Sequence, residues 1–81
     1  MNETKISIII PALNEENSIG QVINSLPKIY QQLIVVDNGS NDSTRKIAKK
    51  NGAIVLIEKN RGYGNACLKG IQFLKKTPPD I

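Results

Sequence analysis

Three short apolar runs divide the chain. Residues 5–10 read Lys-Ile-Ser-Ile-Ile-Ile, and residues 33–36 and 53–57 are similarly rich in β-branched side chains. Runs this short, without strict alternation, predict strands covered on both faces, as in a parallel sheet. Between them the spacing turns helical. Ile19, Val22, Ile23 and Leu26 form one apolar stripe, which Pro27 closes. A second helix is predicted over residues 43–50, with Ser40, Asn41 or Asp42 as its N-cap and Asn51-Gly52 as its stop. A third is predicted over residues 63–76, with Ala66, Cys67, Gly70, Ile71 and Leu74 on one face and Lys69, Gln72 and Lys76 on another, ending at Thr77-Pro78-Pro79. The order β-α-β-α-β-α predicts an α/β unit of three layers, a parallel sheet with right-handed crossovers and helices on its faces. Linkers are short and no repeat or low-complexity tract interrupts them, so one structural unit is expected over residues 1–81.

Composition narrows the chemistry. The 81 residues include no His and one Cys. The missing His excludes Ser-His-Asp and Cys-His catalysis. The single Cys excludes an internal disulfide and a structural zinc site. A chain of this size buries only about 60% of the surface its unfolded form exposes, so marginal stability and partners are expected. Eleven Lys and Arg against seven Asp and Glu give a net charge of +4, which favours anionic partners such as nucleotides. Lys46, Lys49, Lys50, Lys69, Lys75 and Lys76 all fall in predicted helices, however, where they equally serve to solvate exposed faces. One Phe and two Tyr build no basic-aromatic array, so nucleic acid is not an expected partner. No basic region precedes the first apolar run, and no run approaches the ~20 residues of a membrane helix. The expected location is cytoplasmic, with contact to a membrane surface only through parts outside these residues. The N-x-Ser/Thr triplets at Asn2, Asn38 and Asn41 are then chance matches.

Ligands of open α/β sheets bind beyond the C-terminal ends of the strands. Three polar segments stand there: Pro11-Ala12-Leu13-Asn14-Glu15-Glu16-Asn17, Asp37-Asn38-Gly39-Ser40-Asn41-Asp42, and Glu58-Lys59-Asn60-Arg61-Gly62-Tyr63-Gly64-Asn65. Each opens a predicted helix, whose N-terminal amides favour anions. Asp37 is either an acceptor for a base N–H or ribose hydroxyl, or a turn or N-cap residue. Arg61 is either a fixed cation for a phosphate or a solvated loop charge. Glu15 and Glu16 can complement a helix dipole. Asn38-Gly39 alone would suggest a hairpin, but the helical pattern that follows argues against one. The run Gly62-Tyr63-Gly64-Asn65-Ala66-Cys67 superficially matches a dinucleotide fingerprint, yet it follows the third strand and ends in Cys67. Its glycines better suit a tight loop that lets backbone approach a ligand. Cys67, on the apolar face, reads as a packed core residue.

Taken together, Ile8-Ile9-Ile10-Pro11-Ala12-Leu13-Asn14-Glu15-Glu16, Val35-Val36-Asp37-Asn38-Gly39-Ser40-Asn41-Asp42-Ser43-Thr44 and Asn60-Arg61-Gly62-Tyr63-Gly64-Asn65-Ala66 resemble the family 2 glycosyltransferases of the GT-A fold. The third motif looks most like the branch that makes dolichyl- or polyprenyl-phosphate mannose or glucose. The resemblance implies the N-terminal half of a Rossmann-like domain. It implies a UDP- or GDP-sugar donor and transfer to an acceptor such as a polyprenyl phosphate. By the same resemblance Pro11, Ala12, Leu13, Asn14 and Glu15 would line the nucleoside pocket, with Glu15 towards the ribose. Asp37 would accept from the base, with Asn38, Gly39 and Ser40 shaping its loop, and Arg61, Gly62 and Gly64 would lie near ribose and phosphate.

Members of that family hold a divalent cation, Mg²⁺ or Mn²⁺, on an Asp-x-Asp motif of the next strand, and their catalytic base follows later. This sequence contains no Asp-x-Asp, and Asp80 is its last acidic residue. No catalytic or metal-ligating residue is therefore assigned. The chain reads as a truncated nucleotide-sugar-binding subdomain, expected to be inactive alone because the diphosphate lacks its main charge stabilisation. The first strand, internal in the family fold, would present residues 6–10 as an open edge, and a homo-oligomer paired through that edge is expected. A non-catalytic nucleotide-binding or assembly module is the alternative. A Rossmann-type redox domain is disfavoured by the position of the glycines.

Overall fold

A computed structural model describes residues 6–76. The elements are β1 (Ser7–Ala12), α1 (Ile19–Ser25), β2 (Gln32–Asp37), α2 (Thr44–Lys50), β3 (Ile54–Ile57) and α3 (Tyr63–Lys76). The strands form one parallel sheet in the order β1-β2-β3, with Ile9 opposite Ile34 and Val36 opposite Leu56. The sheet separates two apolar clusters. On one face Leu33 and Val35 pack with Ile19, Ile23 and Ala48 of α1 and α2. On the other, Ile34 and Val36 pack with Ala66, and Ile9, Leu56, Phe73 and Leu74 close around them. The predicted α/β order and three layers are those observed.

Coverage on both faces holds for β2, where residues 33–36 are at most 3% exposed. It fails for β3, whose Ile54 and Ile57 are 37% and 51% exposed, because β3 is an edge strand and α3 crosses β1 and β2 instead. Strand β1 runs further than the predicted 5–10 and takes in Pro11 and Ala12, paired with Val36 and Asp37. An edge strand tolerates a proline, since its unpaired side needs no N–H donors. Lys5 and the predicted stop at Pro78-Pro79 lie outside the described residues, as does Asp80.

The helices depart from their predicted faces in instructive places. In α1 the stripe narrows to Ile19 and Ile23, and Val22 is 41% exposed. In α3 the buried line is Ala66 and Gly70, flanked by Phe73 and Leu74, while Ile71 is 44% exposed. Gly70 explains the rotation. A Cβ placed on it would stand 2.7 Å from Cγ2 of Ile9, so the helix seats its smallest residue on β1. Helix α2 stops at Asn51 and Gly52, the latter at φ +98°, as its sequence predicts.

Candidate functional site

The segments that follow the strands meet at the C-terminal edge of the sheet. Loop 1 (residues 13–18) and loop 2 (residues 38–43) are joined by reciprocal hydrogen bonds. The Asn14 amide donates to Ser40 Oγ at 2.8 Å, and Asn14 Oδ1 accepts from the Asn41 amide at 2.8 Å. Asn14 does so from the left-handed region, φ +52°, which Asn tolerates better than most residues. The Glu15 amide donates to Thr44 Oγ1 at 2.8 Å and the Glu16 amide to Asp42 Oδ2 at 3.3 Å. In return Glu16 Oε1 accepts from the Ser43 amide at 3.0 Å.

Helix α2 is thus capped differently from expectation. Its N-cap position is Ser43, whose side chain makes no capping bond. Asp42 Oδ1 instead accepts from the Thr44 amide at 2.9 Å, and from the Thr44 hydroxyl as well. The first free amides of the helix are satisfied by two carboxylates, Asp42 from its own loop and Glu16 from loop 1. Asp42 is held below the usual carboxyl range, chiefly by the Thr44 hydroxyl and further by the amides of Thr44 and Glu16.

Loop 2 is built around Asp37, whose side chain is 0% exposed. Its Oδ2 accepts from the amides of Gly39 and Ser40 at 3.0 and 2.8 Å and from Arg45 Nη1 at 2.9 Å, while Oδ1 accepts from Ser40 Oγ. Burial pushes its carboxyl up, but the Ser40 hydroxyl and amide, the Gly39 amide and the Arg45 guanidinium together outweigh burial and leave it below the usual range. Gly39 turns at φ +99°, a conformation that favours glycine. Of the two roles open to Asp37 in the sequence, the turn is the one this geometry displays. Arg45, which the sequence reading missed, lies eight positions along the chain, and no local pattern announces the pair.

Loop 3 (residues 58–62) is tied to the same centre. The Glu58 amide donates to the Asp37 carbonyl at 2.8 Å. Asn38 is buried, and its Nδ2 donates to the carbonyls of Glu58 and Asn60 at 3.0 and 3.1 Å. Gly62 turns at φ +129° into α3. Arg61 is exposed, and its guanidinium has no ion-pair partner among the described residues.

The structure therefore gathers Asn14, Glu15, Asp37, Asn38, Gly39, Ser40 and Arg61 at one rim. Ala12 is 4% exposed and packs in the core, and its carbonyl accepts from the Asn38 amide at 2.9 Å. Pro11 also lies in β1 and not in the loop. Glu15 is exposed and its Oε2 accepts from Ser18 Oγ at 2.9 Å. Gly64 sits in the first turn of α3 with open space around it. Among the described residues no group of three or more His, Cys, Asp or Glu could hold a metal ion, and the carboxylates of Asp42 and Glu16 already cap α2. The residues described do not fit the divalent cation that the resemblance implies. No described helix is long and apolar enough to cross a membrane.

Comparison with known proteins follows the same lines. Residues 7–76 match the sequence pattern of Glycosyl transferase family 2. The chain is 45% identical to an uncharacterised protein of Methanocaldococcus jannaschii, covering 100% of this chain and 34% of that protein. It is 34% identical to the UDP-N-acetylglucosamine–dolichyl-phosphate N-acetylglucosaminyltransferase of Methanococcus voltae, covering 100% of this chain and 40% of that protein. The fold superposes with a TM-score of 0.75 and 34% identity on the glucosyl-3-phosphoglycerate synthase of Mycobacterium tuberculosis, solved with Mn²⁺, UDP-glucose and glycerol 3-phosphate. That match covers 83% of this chain and 28% of the synthase. The chain spans about a third of the length of the curated relatives it matches.

Proposed function

This chain belongs to glycosyl transferase family 2, and from that membership we propose that its rim holds the nucleotide of a UDP-sugar donor. The observation that carries the reading is the mutual tethering of loops 1, 2 and 3 at the C-terminal edge of the sheet, the place where open α/β sheets receive ligands. In this reading Pro11, Leu13, Asn14 and Glu15 form one wall, with Glu15 towards the ribose. Asp37 fixes loop 2 from beneath through its bonds to Gly39, Ser40 and Arg45, so that the backbone of Asn38 and Gly39 meets the base. Arg61 faces the phosphates across the rim, and Gly62 and Gly64 keep that approach free of side chains. Uridine as the nucleoside is supported by the UDP-glucose complex of the mycobacterial synthase and by the UDP-sugar donor of the archaeal transferase. The archaeal transferase also acts on dolichyl phosphate, which supports a polyprenyl phosphate as acceptor of a whole protein of this kind.

The same reading makes the 81 residues a binding unit and not a complete catalyst. The diphosphate leaving group needs a cation, and the described residues offer no set of carboxylates for one. A site mapped by amide chemical shifts on adding UDP-glucose tests the proposal. Shifts confined to residues 13–15, residues 38–41 and residues 60–64 are expected. A response elsewhere, or an equal response to NADH, would contradict it.

A further inference from the structure

One buried polar side chain at the rim has no role of its own in the proposed nucleotide site. Asn38 is 6% exposed and stands next to Asp37 at the end of β2. Its backbone N–H donates back to the Ala12 carbonyl of β1 at 2.9 Å. Its side-chain Nδ2 donates forward to two carbonyls of loop 3, Glu58 at 3.0 Å and Asn60 at 3.1 Å. The reverse orientation of the carboxamide would set its oxygen against both carbonyl oxygens, so the donor assignment follows from the acceptors. Both hydrogens of the amide are thus used within the protein, and the second acceptor immediately precedes Arg61.

We propose that Asn38 is a positioning residue, a strut from β2 that fixes the backbone of loop 3 and thereby holds Arg61 at the rim. Loop 3 has few other restraints from outside itself. The Glu58 amide reaches the Asp37 carbonyl at its start, whereas the Asn60 amide bonds only to the side chain of Glu58, two residues away. On the far side of Arg61, α3 holds the chain through Asn65 Nδ2, which donates to the Arg61 carbonyl at 3.0 Å, and the Ala66 amide, which donates to the Gly62 carbonyl at 3.1 Å. Without the strut, the segment leading into Arg61 keeps only the Glu58 amide bond at its start and a short local turn, and Arg61 is held from the α3 side alone. A carboxylate at position 38 is nearly the same shape but has no hydrogen to donate, and it would repel both carbonyls. The inference rests on the nucleotide reading only for what Arg61 touches, and its structural half stands apart from any ligand.

The test therefore has two arms on the 81-residue chain. In the ligand-free wild type, the Asn38 carboxamide protons should exchange slowly and show through-bond coupling to the carbonyls of Glu58 and Asn60. Fast exchange without coupling overturns the strut, and no variant has to fold for that result. In Asn38→Asp and Asn38→Ala, amide protection should fall across residues 58–62 and persist at Asn14 and Ser40. Unchanged protection of loop 3 in both variants also overturns it. The second arm compares UDP with uridine. The affinity advantage of UDP should fall about tenfold in Asn38→Asp and by a similar factor in Arg61→Ala, about what one charge-assisted contact contributes. The double variant should lose no more than either single one, since both remove the same contact. An unchanged UDP-to-uridine ratio in Asn38→Asp would overturn the link to Arg61. Failure of the wild type to bind either ligand would count against the nucleotide reading instead, and the exchange arm then decides the strut.

Discussion

The buried carboxylate of Asp37 accepts four hydrogen bonds from three residues. Its donors are two amides, a hydroxyl and a guanidinium; removing it leaves the amides and the hydroxyl without this acceptor and Arg45 with only the Ser40 carbonyl at 3.3 Å. Asp37→Ala should destabilise the chain by about 2–3 kcal/mol, the cost of losing hydrogen bonds to a charged group. Arg45→Ala should cost only about 1 kcal/mol, because Arg45 is 41% exposed and water replaces its contact. Denaturant titration of both variants checks the order, and the reverse order would contradict this assignment. A pH effect follows from the same group. Asp37 and Asp42 both have folded pKa values below their ordinary ones. Depressed carboxyls stabilise the fold above the unfolded pKa of about 3.9 and lose that contribution as pH falls through the folded value. Stability should be level from neutral pH down to about 5 and fall below about 4. A denaturation midpoint that stays constant to pH 3 would refute it, and Asp37→Asn should flatten the curve. The contacts that join loop 1 to loop 2 were not legible in the sequence. Asn14, Glu15 and Glu16 bond residues 40–44 across 26 to 29 positions, and no local spacing encodes such contacts.

At the scale of elements, most of the order was legible, because an unbroken β-branched run and a four-residue apolar stripe leave little choice of structure. The edges were not, because they depend on neighbours. Pro11 looks like a strand terminator, yet β1 continues through it, since the far side of an edge strand asks for no donor. Ile71 looks like core, yet Gly70 sets the rotation of α3. Gly70→Ala tests that contact with a decided sign. Intrinsic propensity would favour Ala by up to ~1 kcal/mol. The new Cβ, however, would meet Ile9 Cγ2 at 2.7 Å and Cδ1 at 2.9 Å, and overpacking of that kind costs about 1–3 kcal/mol. Net destabilisation is expected in the wild-type background, and gain or neutrality after Ile9→Ala. If Gly70→Ala stabilises the unaltered chain, α3 does not rest on Ile9 as described.

At the scale of the molecule, the described sheet leaves β1 at one edge and β3 at the other. The outer side of β1 presents unpaired backbone beside Ile8, Ile9 and Ile10, which are only partly covered. We propose association through that edge. Light scattering should give a mass above 8.9 kDa that rises with concentration, whereas a constant monomer mass at all concentrations would rule it out. Convergence of the polar loops on one rim was foreseeable from strand order alone, because parallel strands send every following loop to the same side. The central claim is that this rim binds a nucleotide without needing a metal. Calorimetric titration of the chain with UDP and GDP, each with and without Mg²⁺, tests it most directly. Heat from UDP is expected, unchanged by Mg²⁺ and strongly reduced in Arg61→Ala. Absence of heat with both nucleotides under every condition would contradict it.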